Sequence, residues 1–268
     1  MTFSFTPREA KNKSTKNAPV AVFDSGIGGI CVLKEMQRLL PHENLIYFGD
    51  AKNAPYGEKD SATLRALILT HAAALLSRAK ALVLACNTAT AVAARLLRES
   101  YPDVPIIGME PAVKPALHVK EHPRILILAT STTLRENKLA TLLKRYHTCA
   151  DFYPLAAPGL VELIEGGYSN NTPRLTDYLS HLLAPFRAEP PDAIVLGCTH
   201  FPLVRAAISS VFSDTVPLFD GAEGTAKQLK RCLLRANLLN DQIARGTVTL
   251  TASDCHVIPR YLSALIKD

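Results

Sequence analysis

Short runs of consecutive apolar residues alternate along the chain with longer stretches whose apolar positions recur every three or four residues. The runs 20–23, 45–48, 81–85, 106–109, 124–129, 152–153, 193–197, 216–219 and 247–251 read as strands. Several are apolar at every position, the pattern of strands covered on both faces. Helical periodicity occupies 31–40, 61–78, 88–99, 159–165, 174–186, 203–212, 222–237 and 259–267. Buried strands alternating with helices predict an α/β protein with mainly parallel sheets. Such sheets bind ligands beyond the carboxyl ends of their strands, so the residues following each strand carry the functional information.

One pattern occurs twice. Ala81-Leu82-Val83-Leu84-Ala85-Cys86-Asn87-Thr88 resembles Ala193-Ile194-Val195-Leu196-Gly197-Cys198-Thr199-His200. Each is a small residue, an apolar strand, a cysteine at its carboxyl end, a polar residue and then a helix. A weaker echo relates 20–25 to 125–130. Two similar α/β halves facing one another bring Cys86 and Cys198 to a shared cleft; chance likeness of two buried strands is the alternative.

A cysteine between a strand and a helix meets backbone N–H groups and the positive end of the helix dipole, which favour its thiolate. A pair of such groups suits the inversion of a carbon acid, with a base on one face and an acid on the other. Asp24, after the first strand, either orients the Cys86 thiol or caps a helix. His200 stands in the same relation to Cys198, and Glu165 is a third acid that either assists or is simply solvated. Ser25, Tyr56, Asn87, Thr88, Thr130, Thr133 and Thr199 end strands or open helices, where hydroxyls and amides hold carboxylates or serve as caps and turns. Gly26-Ile27-Gly28-Gly29 imitates a dinucleotide-binding turn, but Cys31 stands where the third glycine belongs and Asp24 sets a negative charge beside any pyrophosphate. No Gly-Lys-Ser/Thr phosphate loop occurs.

Composition narrows the classes. A length of 268 residues accommodates two modest domains, and 48% apolar with 20% charged residues excludes wholesale disorder. No apolar run is long enough for a membrane span. Half of the net charge of +6 comes from residues 1–18, which read as a flexible basic arm rather than a nucleic-acid surface. The arm lacks the apolar segment of a secretion signal, so the cytoplasm is the expected compartment. Six widely spaced cysteines without a Cys-x-x-Cys pair predict free thiols and no metal site.

Phe23-Asp24-Ser25-Gly26-Ile27-Gly28-Gly29, Pro55-Tyr56-Gly57, Ala85-Cys86-Asn87-Thr88-Ala89 and Gly197-Cys198-Thr199-His200-Phe201-Pro202-Leu203 closely resemble, in this order, the motifs of bacterial glutamate racemases in the aspartate/glutamate racemase superfamily. The likeness runs from about Val20 to the late helices. It implies two pseudo-symmetric Rossmann-like domains, with mainly parallel sheets and the active site in the cleft between them. The first domain would comprise 19–109 plus 219–268 and the second 110–218. It also implies a cofactor-independent enzyme that interconverts L- and D-glutamate and supplies D-glutamate for peptidoglycan. Cys86 and Cys198 would be the proton donor and acceptor, the first taking the α-proton of D-glutamate and the second that of L-glutamate. Asp24 would assist the first and His200 the second, and Glu165 matches a family acid near the second cysteine. Ser25, Tyr56, Gly57, Asn87, Thr88 and Thr199 match substrate-holding positions, to which Asp24 and His200 also belong. Ala129-Thr130-Ser131-Thr132-Thr133 departs from a segment that usually begins Gly-Thr, and Glu136 and Leu139 stand where the family tends to carry serine and tyrosine. Some relatives use a peptidoglycan-precursor nucleotide as activator, which makes such a nucleotide a candidate partner; a homodimer is the expected assembly. A racemase of aspartate or another acidic amino acid shares the same chemistry, and a binding protein that closes on an acidic ligand shares the two-domain plan.

Overall fold

The computed structural model describes residues 15–168 and 172–266. Most of the basic arm, residues 1–14, and the end of the helix read over 259–267 lie outside the described residues. The strands are β1 (Val20–Asp24), β2 (Leu45–Gly49), β3 (Ala81–Leu84), β4 (Ile106–Gly108), β5 (Arg124–Ala129), β6 (Asp151–Ala156), β7 (Ala193–Leu196), β8 (Leu218–Asp220) and β9 (Val248–Ala252). They form a sheet of order β4-β3-β1-β2-β9 and a second of order β6-β5-β7-β8, with every pairing parallel. Every residue of β1, β3 and β7 is buried, as their apolar runs require, and the burial of β1 includes the carboxylate of Asp24 at its end.

The repeated sequence pattern is a repeated pairing. Val20 lies opposite Ala81 where β1 meets β3, and Ile125 lies opposite Ala193 where β5 meets β7. The run β2-β1-β3-β4 in one sheet has its counterpart in β6-β5-β7-β8, and β9 is an added edge. Cys86 and Cys198 therefore follow equivalent strands, each in the second position beyond the strand's last residue.

Departures from the sequence reading follow from local chemistry. The helices Ser131–Arg135 and Asn137–Arg145 are absent from the sequence reading; the first is only five residues long, while the second buries Leu139 and packs Leu142 and Leu143 on the core at helical spacing, a short stripe left unused there. β6 extends well beyond the pair Phe152-Tyr153, because Pro154 is tolerated in an edge strand. The helical stretch 203–212 begins as a tight turn at Phe201–Val204, and the helix proper is Arg205–Ser210. β8 pairs with β7, so the second sheet reaches Asp220. Among the described residues no helix is long and apolar enough to cross a membrane.

At the amino-terminal end of the first sheet, Lys80 and Glu43 form an ion pair with Nζ–Oε2 2.6 Å, their side chains 0% and 1% exposed. Lys80 Nζ also donates to the Lys16 carbonyl, and Glu43 Oε1 accepts Asn240 N–H at 2.7 Å. The pair joins the start of the described chain to a segment near its end. Lys80→Met leaves a buried carboxylate uncompensated and should lower unfolding free energy by about 3–5 kcal/mol in urea titrations, while Lys80→Met with Glu43→Leu should recover most of that loss.

Candidate functional site

The site is built from the carboxyl ends of β1, β3, β5 and β7. Cys86 occupies the N-cap of the helix Asn87–Ser100, its Sγ accepting Ala89 N–H at 3.4 Å, and Ser25 Oγ reaches the same sulfur at 3.7 Å. The sulfur is nevertheless deeply placed, with Cys86 5% exposed. Burial and the nearby Asp24 charge push the Cys86 thiol up to about 12, with Cys198 adding to the rise and Ala89 N–H and Ser25 opposing it. The helix start acts in the direction expected from sequence, but desolvation of the thiolate outweighs it. Cys86 rests as a thiol.

Cys198 lies at 7% exposure beside His200, its Sγ 3.9 Å from Nδ1. The other ring nitrogen, Nε2, is 2.7 Å from Glu165 Oε1, and the ring is 1% exposed. Burial lowers the His200 pKa, but the bonds and charges of Cys198 and Glu165 outweigh it and hold the imidazole well above its ordinary value. Glu165 shows the reciprocal effect. Burial would raise its carboxyl, yet His200, the Ile27 N–H and Arg260 leave it below the ordinary value.

Asp24 is fully buried and caps no helix: it accepts Gly26 N–H at 2.9 Å and the Thr199 hydroxyl at 3.0 Å. Burial raises its carboxyl above the ordinary value, against the pull of His200 and these donors. It acts on Cys86 through its field, and its bond to Thr199 ties the end of β1 to the segment after β7.

The glycine-rich turn that imitates a dinucleotide site has another purpose. Ile27 N–H donates to Glu165 Oε1 at 2.9 Å. A Cβ on Gly26 would fall 1.9 Å from that oxygen, and one on Gly28 2.6 Å from His200 Nδ1. The turn is a seat for two side chains from the opposite half.

A second seam closes the cleft on its other side. Thr132 Oγ1 donates to the Gly57 carbonyl at 2.8 Å, and Ser61 Oγ to Glu136 Oε1 at 2.6 Å. A Cβ on Gly57 would lie 2.7 Å from the Thr130 side chain. Glu136, a departure from the family pattern, therefore accepts a bond from the opposite half, and Leu139 is buried in the core against the second sheet. Thr88, Thr130 and Thr133 form a hydroxyl cluster with Oγ1 separations of 3.0, 3.2 and 2.9 Å.

Asn87 is 4% exposed, yet neither its amide nitrogen nor its amide oxygen has a hydrogen-bond partner. Such an orphaned amide is costly unless a ligand or water satisfies it. The Tyr56 hydroxyl, by contrast, is committed to Asp50 Oδ2 at 2.6 Å and steadies its loop from within. Of the residues named from sequence, Asp24, Thr199, Cys198, His200 and Glu165 are thus linked by close polar contacts, Ser25 meets Cys86, and Thr88, Thr130 and Thr133 meet one another, whereas Tyr56 turns to Asp50. From sequence, Thr132 and Glu136 stand out only within a departure from the family pattern and Arg260 not at all; the roles of all three depend on partners distant in the chain. Asp254, Cys255 and His256 bring three potential metal donors within 4.8 Å of one another, but on the surface after β9.

Comparison with known proteins follows the same lines. The sequence pattern of the Asp/Glu/Hydantoin racemase family matches residues 31–229. A glutamate racemase of Clostridium acetobutylicum is 45% identical over 241 residues, 90% of this chain and 93% of that protein. Glutamate racemase from Francisella tularensis, solved with D-glutamate, superposes with a TM-score of 0.80 at 28% identity, covering 94% of this chain and 95% of the other. Escherichia coli glutamate racemase, solved with L-glutamate and the activator UDP-MurNAc-Ala, gives a TM-score of 0.78 at 31% identity, covering 91% and 95%.

Replacing Glu165 by Gln removes the charge that favours the imidazolium while leaving His200 buried. Its titration midpoint, followed by NMR of labelled histidine, should therefore move to lower pH.

Proposed function

The chain belongs to the Asp/Glu/Hydantoin racemase family, and from that premise we propose that it is a glutamate racemase that interconverts L- and D-glutamate without a cofactor and supplies D-glutamate for peptidoglycan. The observation that carries the mechanism is the pair of buried cysteines after the equivalent strands β3 and β7. Cys198 takes the α-proton of L-glutamate while Cys86 delivers one to the opposite face, and the roles reverse for D-glutamate. A resting Cys86 thiol suits the L-to-D direction, since that sulfur must arrive carrying a proton. Asp24 acts on Cys86 through its charge, and His200, held by Glu165, assists Cys198.

Substrate binding draws on the Asn87 amide, which the protein leaves unsatisfied, and on hydroxyls that would exchange their bonds within the protein for bonds to the ligand. The Asn87 amide offers both a donor and an acceptor. Ser25, the Thr88–Thr130–Thr133 hydroxyls, Thr199 and the N–H groups opening the helix Asn87–Ser100 supply donors for carboxylates. Gly57 and Tyr56 act through the loop they shape. The weakly acidic α-hydrogen demands a water-excluded site with preorganised dipoles, and the two seams supply the closure.

The domain division goes with this reading: residues 19–109 and 219–268 are proposed as one domain and 110–218 as the other, with β8, which pairs with β7, carrying the second sheet across that boundary to Asp220. All six cysteines are free thiols, in keeping with action in the cytoplasm. A homodimer and regulation by a peptidoglycan-precursor nucleotide are proposed as further partners, the latter from the Escherichia coli relative.

Cys86→Ser and Cys198→Ser should each lower turnover by roughly 10²–10⁴-fold, and the native protein in deuterated water should place deuterium at Cα of either enantiomer, read by NMR; full turnover in both variants defeats the mechanism. Glutamate should be turned over in clear preference to aspartate under the same assay, and added UDP-MurNAc-Ala should raise the rate if the nucleotide is an activator here too.

A further inference from the structure

Arg260 opens the helix Ile258–Ile266, which follows β9 and belongs with the first sheet. Its neighbour Tyr261 is fully buried and meets Tyr47 edge-on at 5.6 Å, and the Tyr47 hydroxyl donates to the Gly26 carbonyl at 2.6 Å. The helix is thus anchored directly behind the glycine-rich turn. From that anchor the Arg260 guanidinium reaches across to the opposite half. Nη2 donates to the Ile164 carbonyl, and Nη1 donates to the Glu165 carbonyl and approaches Glu165 Oε2 at 3.5 Å.

These contacts address what the other Glu165 contacts leave loose. Oε1 is already shared by the Ile27 N–H and His200 Nε2. A carboxylate held through one oxygen can still pivot about that oxygen, and while the Ile164 carbonyl already accepts the Gly167 N–H at 3.0 Å, the Glu165 carbonyl ending the helix Leu160–Glu165 needs a partner of its own. The fork of a guanidinium meets both needs, fixing backbone and carboxylate from one side chain.

We propose that Arg260 is a positioning residue for the Cys198 half of the reaction, locking the Glu165 carboxylate so that it orients His200 against Cys198. The inference rests on the two-cysteine reading above and deepens it: the end of the chain, through one arginine, sets the geometry of one of the two proton transfers. Its positive charge acts in the same sense, helping to keep Glu165 ionised.

The test uses the full chain with Arg260→Met and Arg260→Lys. Arg260→Met should lower kcat/KM by roughly 10–100-fold, the loss expected for a charge-assisted hydrogen bond. Because the enantiomers are equal in free energy, kcat/KM stays equal in the two directions, so rates alone do not distinguish the faces. Isotope effects do. A higher barrier at Cys198 makes that transfer more rate-limiting, so the deuterium effect on kcat/KM should grow with α-deuterated L-glutamate and shrink with α-deuterated D-glutamate. Arg260→Lys, which keeps a charge and a donor, should restore both the rate and the isotope balance in part. An unchanged balance in Arg260→Met, or effects that shift together for both enantiomers, overturns the proposal, and if that variant does not fold the same criterion applies to Arg260→Lys. Failure of the underlying reading looks different: Cys198→Ser would then retain full turnover.

Discussion

One carboxylate oxygen, Glu165 Oε1, accepts a backbone N–H from the turn after β1 and meets a ring nitrogen of His200 from the segment after β7. Both contacts require close approach of the two halves, and that approach is possible only because the turn lacks side chains at Gly26 and Gly28. The position of His200 beside Cys198 follows from it. So does the bond from Thr199 to Asp24, which crosses the same gap one residue away. The polar constellation is therefore a property of the junction and of neither half alone.

The junction also gives the two sulfurs unequal surroundings despite their equivalent places in the two sheets. Cys86 has a carboxylate field and a hydroxyl beside it, in a setting that favours its neutral form. Cys198 has a histidine held toward its cationic form. In the proposed reaction this inequality sets the resting state: one sulfur arrives as a proton carrier, and the other faces a charge suited to a thiolate. The two strand ends are alike, and under the proposed reaction it is the neighbours that differ between them that would assign the roles.

Much of this was legible in the sequence for a physical reason. β3 and β7 are apolar throughout, β1 up to its last residue and β5 after its first, and the groups at and beyond the carboxyl ends of such strands are where ligands bind, so Asp24, Cys86, Thr130 and Cys198 could be found by position. The helices over 131–145 are short, the second with a stripe of only Leu139, Leu142 and Leu143, and the cross-half bonds of Thr132 and Glu136 could not be read from them because their partners, Gly57 and Ser61, lie far away in the chain. Arg260 carries no local signal either, since an arginine one turn into a helix looks like a solvated side chain until its partner is known. The purpose of Gly26 and Gly28 was hidden in the same way: sequence shows that a side chain is absent, and only the fold shows what occupies its space.

The first sheet ends in β9, which pairs with β2 although most of the chain lies between them, and the helix bearing Arg260 and Tyr261 follows directly. The second sheet, in contrast, draws all its strands from one continuous stretch. During translation the second sheet has every strand it needs while the first still lacks an edge and the support behind its glycine turn. Non-local pairing of this kind is slow to form. Assembly of the competent cleft is accordingly a late event in biosynthesis, tied to emergence of residues 248–266 from the ribosome, and a chain cut short before them would retain both sulfurs without the framework that sets them in opposition.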